Sequence, residues 1–153
     1  KFHGRVNDRL RMNDNLHFFI GQIKQIHNLN FFKEMYMTSA LQKIKYDDAA
    51  AVTPFEVITM ATVNGAGLLG LNNCDTIEEG KQADLILVDL LKPNMQPLNN
   101  IINNLVYSGS NTNIIMTMVA GKILYACGKY NIPFDPLDIY EKSNYIIGRI
   151  KHT

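Results

Sequence analysis

From residue 31 onward, hydrophobic and small side chains recur three and four residues apart through FFKEMYMTSALQKIKY. This spacing predicts an amphipathic helix that ends near Asp47. Lys43 falls at the edge of the apolar stripe, where its aliphatic stem can cover apolar surface while the ammonium stays in water. The stripe consists of Phe31, Phe32, Met35, Tyr36, Ser39, Ala40 and Ile44.

Two further helices are marked by their first residues. Thr53 can cap a helix that begins at Pro54, and Glu56 stands where a capping-box carboxylate reaches back to the cap. The glycines that follow permit close packing and a C-terminal stop, either beyond residue 69 or early, at Gly65. Near the end of the chain, Asp135 is the expected cap of a last helix with apolar positions at helical spacing.

After residue 72 the hydrophobic period changes to two or to continuous apolar runs, which predicts strands. A turn at Ala120-Gly121 separates the last two runs and predicts a β-hairpin. Helices, then strands, then a helix indicate an α+β fold. The predicted strand segments are residues 76–77, 83–90, 105–108, 114–119 and 122–125.

Composition and length indicate one globular domain. The chain has 153 residues, 46% hydrophobic and 19% charged, whereas a complete (β/α)8 barrel needs about 250 residues. No apolar run approaches the roughly 20 residues that span a bilayer, so no membrane segment is expected. Residues 1–30 show no clean period and no apolar core of a secretory signal, so the expected location is the cytoplasm.

The charge is unevenly distributed. Residues 1–45 hold eight Lys and Arg against three Asp and Glu, while residues 46–153 hold seven against eleven. The basic part lacks a recognition-helix pattern and an aromatic RNA-binding motif, so it is interpreted as solvated surface and no nucleic-acid partner is expected.

The residue types that bind metals lack the spacing of a metal site. Cys74 and Cys127 form no CxxC pair, which excludes a zinc knuckle, and none of the four histidines has a His-Glu-x-x-His partner. These histidines are interpreted as surface residues. A set of methionines is interpreted as core filler rather than as a ligand surface. It consists of Met35, Met37, Met60, Met116 and Met118.

Two short motifs also favour a structural interpretation. Gly80-Lys81 lacks the spacing of a phosphate-binding loop and is predicted to be a tight turn. The hydroxyl cluster in residues 107–110 has no paired histidine and acid, so it is predicted to be a strand end rather than a nucleophile site.

Several segments occur in a characteristic order: TPFEVITMATVNGAGLLGL at 53–71, IEEGKQADLILVD at 77–89 and NLVYSGSNTNIIMTMVAGKILYACGKY at 104–130. Together they resemble the C-terminal part of the amidohydrolase superfamily. The preceding NLNFFKEMYMTSALQKI at 28–44 is similar to the helix after the last barrel strand. The nearest branch is the metal-dependent aminohydrolases and chlorohydrolases, which include methylthioadenosine/S-adenosylhomocysteine deaminase, guanine deaminase and the triazine chlorohydrolases.

This resemblance implies the terminal helices of a (β/α)8 metallo-hydrolase barrel plus the C-terminal share of a small β-sandwich, with the barrel incomplete. Residues 1–30 are then a remnant of the barrel or N-terminal region. Residues 31–72 form the helical end of the barrel, residues 73–130 the sandwich portion, and residues 131–153 a C-terminal helix.

The resemblance also implies the chemistry of the parent family. Its members hydrolyse C–N or C–Cl bonds of nucleobase-like or triazine-like rings with water activated by zinc or iron. The family's catalytic Asp would fall near Gly21, yet no acid occurs between Asn15 and Lys33. His3 is the candidate metal ligand, as the second half of a His-x-His strand end. The chain alone is therefore expected to bind no metal and to be inactive.

Two other functions remain open at this stage. Strand edges left unpaired by the missing sandwich strands favour self-association, so the chain is alternatively a non-catalytic interaction or assembly module, with a homo-oligomer as the expected state. The third interpretation is a minimal hydrolase whose site is completed between subunits by His3, His17 and His27.

Overall fold

The computed structural model describes residues 30–150. These residues form helices and one antiparallel sheet, which confirms the α+β prediction. No helix among them is long and apolar enough to cross a bilayer. The helices are α1 (Phe31–Tyr46), α2 (Pro54–Thr59), α3 (Gly65–Leu68), α4 (Ile101–Tyr107) and α5 (Pro136–Ile150), and the strands are β1 (Leu85–Val88), β2 (Ile114–Val119), β3 (Lys122–Ala126) and β4 (Lys129–Tyr130).

Helix α1 begins and ends as its sequence predicts, but it buries more than the predicted stripe. The Asn30 side chain accepts a hydrogen bond from the backbone of Lys33, and Asp47 ends the helix in the left-handed conformation. Apolar members of the stripe, such as Phe32 and Met35, are buried. Three polar side chains beside them, those of Glu34, Thr38 and Gln42, are buried as well. The buried side of α1 therefore consists of an apolar stripe and an adjacent polar strip.

Helix α2 starts with the predicted capping box. The Thr53 hydroxyl accepts from the backbone N–H of Glu56, and the Glu56 carboxylate accepts from the backbone N–H of Thr53 at 2.6 Å. The helix does not end at Gly65, because a π-helical segment, Met60–Asn64, links α2 to α3. A Cβ at Gly65 would lie 3.1 Å from the Met60 carbonyl oxygen, so glycine suits this wider turn. The stop comes at Gly70, whose φ is 71°.

The sheet has the order β1-β2-β3-β4, and every pair is antiparallel. Ala120 and Gly121 both have positive φ, 49° and 73°, as a two-residue type I′ hairpin turn requires. The predicted hairpin is thus confirmed. Cys127 and Gly128 form a second turn with two positive φ angles, 47° and 85°, and this turn leads into β4. The sequence analysis did not predict β4.

Two predicted strand segments are wrong. Thr76 lies in a bend and Ile77 in irregular structure with its side chain 89% exposed, because no strand among residues 30–150 pairs with them. Residues 105–108 are the end of helix α4 and its cap. The Asn100 side chain accepts a hydrogen bond from the backbone N–H of Asn103, so Asn100 is the N-cap of this helix.

The core lies where α1, α2 and α4 meet. Its buried members are Phe32, Met35, Val52, Val57, Met60 and Val106, and Val88 and Ile114 of the sheet pack against it. Met35 and Met60 therefore fill the core as predicted, whereas Met37 is 40% exposed. Met95, which no pattern singled out, is fully buried.

The assignment to barrel and sandwich stays a prediction. Residues 30–150 contain one four-stranded sheet and no parallel strand pair. Helix α5 starts as predicted, with the Asp135 carboxylate accepting from the backbone of Leu137. None of its side chains is buried, although several are large and apolar.

Candidate functional site

An open apolar pocket of about 940 Å³ lies between the α2–α3 helical segment and the sheet. Met60, Ala61 and Leu68 line it from the helical side, and Leu85 and Met118 line it from strands β1 and β2. Its size falls within the usual range of small-molecule pockets. Because its walls come from elements that sequence reasoning assigned to two different domains, no local pattern could predict it.

On the polar side of this pocket, two residues of one loop form an ion pair. The Lys81 ammonium donates to the Asp75 carboxylate at 2.5 Å and to the Thr76 hydroxyl at 2.6 Å. The Lys81 hydrogen bond holds the pKa of the Asp75 carboxyl below its usual range, and the same bond raises the pKa of Lys81. The Lys81 ammonium is thus hydrogen-bonded within its own loop. Gly80, with φ of 88°, forms the predicted tight turn just before it.

A second carboxylate, Asp84, faces the pocket just before β1. It accepts from the Ala120 backbone N–H at 2.6 Å and from the Gln82 amide at 3.0 Å, which lowers its pKa. Partial burial and then the Asp84 carboxylate raise the pKa of the neighbouring Cys74 thiol. A carboxylate with a lowered pKa is a weak base and a protonated thiol is a weak nucleophile, so this lining favours binding or packing over proton transfer.

The described residues do not fit a metal. No group of three or more His, Cys, Asp or Glu side chains within residues 30–150 could hold an ion. That range contains no histidine at all. The candidate ligand His3, and the His17 and His27 of the minimal-hydrolase interpretation, lie outside the described residues.

The hydroxyl cluster of residues 107–110 is divided between two structural roles. Tyr107 ends α4 and turns toward α1, where Ser39 lies 3.0 Å from its hydroxyl. Ser110 caps the 3₁₀ turn before β2 and shares a hydrogen bond with Thr112 at 2.7 Å. Both hydroxyls are thus held by hydrogen bonds at the ends of structural elements.

Comparison with known proteins identifies the family of this chain. The family model described as the amidohydrolase family matches residues 6–124. The chain belongs to the amidohydrolase family. The match begins well before the segments that carry the resemblance, so the aperiodic N-terminal part is matched as well.

The curated relatives of this amidohydrolase chain include nucleoside deaminases. It is 36% identical over 124 residues to 5-methylthioadenosine/S-adenosylhomocysteine deaminase 1 of Archaeoglobus fulgidus, covering 81% of this chain and 29% of that protein. It is 41% identical over 99 residues to the 5-methylthioadenosine/S-adenosylhomocysteine deaminase of Caldanaerobacter subterraneus, covering 64% of this chain and 23% of that protein.

A solved structure agrees with these relatives. An adenosine deaminase from Xanthomonas campestris with bound zinc matches with a TM-score of 0.76 and 29% identity, over 80% of this chain and 28% of that one. The chain therefore spans less than a third of the length of the proteins it matches.

Proposed function

We propose that this chain is the C-terminal part of a metal-dependent amidohydrolase that removes an amino group from a nucleobase-like ring by hydrolysis. The observation that carries the proposal is the family match over residues 6–124 together with relatives that are named as deaminases. Their names favour C–N over C–Cl bonds. Methylthioadenosine, S-adenosylhomocysteine and adenosine are the first substrates to test.

In this proposal the described residues supply scaffold rather than chemistry. The carboxylates that face the pocket, Asp75 and Asp84, are already engaged by Lys81 and by the backbone of Ala120. The metal ligands and the general base belong to parts of the parent protein that residues 30–150 do not contain. The chain by itself is therefore inactive and retains no zinc or iron.

A chimera provides the test. In the Archaeoglobus relative, only the part that aligns with residues 30–150 is replaced by these residues, so that the relative keeps its own metal ligands and general base. Ammonia release from the three substrates is then measured with zinc or iron supplied. We expect deamination by the chimera and none by the 153-residue chain alone. Ammonia release by the chain alone would overturn the scaffold role, and an inactive but folded, metal-loaded chimera would count against the proposed parent reaction.

Metal content separates the minimal-hydrolase interpretation from this one. After exhaustive dialysis, mass spectrometry of the 153-residue chain is expected to find essentially no zinc or iron. A stoichiometric ion that is lost in His3→Ala would instead favour a site built from the N-terminal histidines.

The exposed apolar surface supports a second candidate, an assembly module that associates with itself. Leu69, beside the pocket, is 75% exposed, and the large apolar side chains of α5 are exposed as well. Light scattering after size exclusion tests this candidate. Leu69→Asp should weaken association if the pocket face is the interface. Leu91→Asp should not, because Leu91 is at least as exposed but lies outside the pocket. A monomer at all concentrations would exclude the module.

A further inference from the structure

A second group of reactive side chains lies at the contact of α1 with α4. The Lys43 ammonium is 2.6 Å from the Tyr107 phenol oxygen, and the Ser39 hydroxyl is 3.0 Å from the same atom. None of these three residues lines the pocket. The cluster therefore needs an explanation of its own.

The fold holds this geometry in place from both helices. Ser39 and Lys43 are four residues apart on α1, so they project from one face, and Ser39 is fully buried. Tyr107 is the last residue of α4, and Gly109 lies two residues beyond it. A Cβ at Gly109 would lie 2.6 Å from a ring carbon of Phe32, so glycine is what allows the chain after α4 to approach α1 so closely.

The surroundings of Tyr107 favour the ionised phenol. Partial burial acts to raise its pKa, but the hydrogen bonds from Lys43 and Ser39 outweigh burial, and the pKa lies below its usual range. The Lys43 ammonium also lies 4.9 Å from the ring centroid. Tyr107 is 37% exposed and its hydrogen bond with Lys43 lies at the surface, so a reagent can approach the phenol oxygen.

We propose that Tyr107 is a nucleophilic phenol and a site of covalent modification by sulfonyl electrophiles. The phenol first loses its proton to solvent, and Lys43 and Ser39 stabilise the phenolate by hydrogen bonding. The phenolate oxygen then attacks the sulfur of a sulfonyl fluoride. One O–S bond forms, the S–F bond breaks, and fluoride leaves to solvent. This modification is independent of the deaminase proposal, because it uses neither a metal nor the pocket.

The test is the rate of labelling by benzenesulfonyl fluoride, measured by peptide mass spectrometry on the full 153-residue chain. Tyr140 is the internal reference, because it is 57% exposed and has no hydrogen-bond partner among the described residues. If exposure alone decided reactivity, Tyr140 would react faster. We expect Tyr107 to react about five to tenfold faster than Tyr140. Equal or slower labelling of Tyr107, or the label on Lys43 instead, would overturn the proposal.

A matched pair of lysine variants tests the cause. Lys43→Met should reduce labelling of Tyr107 to the rate of Tyr140 or below, whereas Lys45→Met removes the same charge from α1 and should leave it unchanged. Lys45 contacts the Tyr46 ring and not Tyr107.

The pH dependence of labelling in the unaltered chain offers an independent test if the Lys43→Met variant unfolds. Labelling of Tyr107 should rise with pH at lower values than labelling of Tyr140, and coincident pH profiles would refute the activation.

Discussion

Single residues in α1 carry the first prediction, because the helix buries polar atoms that have no hydrogen-bond partner among residues 30–150. Gln42 is fully buried, and within the described part of the chain neither its amide nitrogen nor its amide oxygen has a hydrogen-bond partner. A buried polar group without a partner costs about 1–3 kcal/mol. Gln42→Met keeps the side-chain length and removes the polar atoms. We expect it to raise the free energy of unfolding by about 1–3 kcal/mol, measured by urea denaturation.

Gln82→Met is the matched control for that change. The Gln82 amide is exposed and donates to Asp84 at 3.0 Å, so its replacement should leave stability unchanged or lower it slightly. A Gln42→Met variant that is no more stable than the unaltered chain would contradict the prediction.

The apolar stripe of α1 could be predicted from the spacing of its residues, but its buried polar strip could not. Burial of Thr38 and Gln42 depends on what packs against that side of the helix.

The β2–β3 hairpin carries a prediction at the scale of an element. Ala120 occupies the first turn position with φ of 49°, a conformation that costs an alanine about 1–2 kcal/mol and that asparagine tolerates. Asn-Gly is the favoured pair for this turn type. Ala120→Asn should therefore raise the free energy of unfolding by about 1 kcal/mol. Ala49→Asn, at an exposed alanine without positive φ, should not, and equal effects of the two variants would refute the backbone argument.

Elements with a signal in their own residues were predictable, and elements that depend on distant partners were not. Thr53, Pro54 and Glu56 define the start of α2 locally, and the capping box forms as expected. Residues 76–77 have the composition of a strand, but a strand needs a neighbour, and none among residues 30–150 pairs with them. The apolar run at residues 105–108 likewise predicts a strand, yet it is the end of helix α4, because the Asn100 side chain caps that helix five residues earlier.

For the whole molecule, family membership was predictable and the site was not. Short motifs in a fixed order, from residues 53–71 to residues 104–130, were enough to indicate the family that the comparison then showed. The pocket requires the packing of α3 against β1 and β2, which no single segment encodes. The roles of Asp75 and Asp84 likewise become visible only when their partners Lys81 and Ala120 are placed.

Asp75 pairs with Lys81 within the loop after α3, and Asp84 joins the end of that loop to the β2–β3 turn through Ala120. These two carboxylates predict how the whole chain responds to acid. Both have a pKa in the folded state below the ordinary value of 3.8. A carboxyl of this kind binds protons more tightly when the chain is unfolded. Its stabilisation is therefore complete above the unfolded value and is lost as pH falls through the folded value.

We accordingly expect the urea concentration at the unfolding midpoint to be constant near neutral pH. At pH values below about 4, this midpoint concentration should decrease. The double variant Asp75→Asn with Asp84→Asn should be less stable at neutral pH and should show a shallower acid loss. Glu79→Gln is the matched control, because Glu79 makes no ion pair or hydrogen bond among residues 30–150, and it should retain the full acid loss. If the double variant lost stability in acid as steeply as the unaltered chain, groups other than Asp75 and Asp84 would control the acid response.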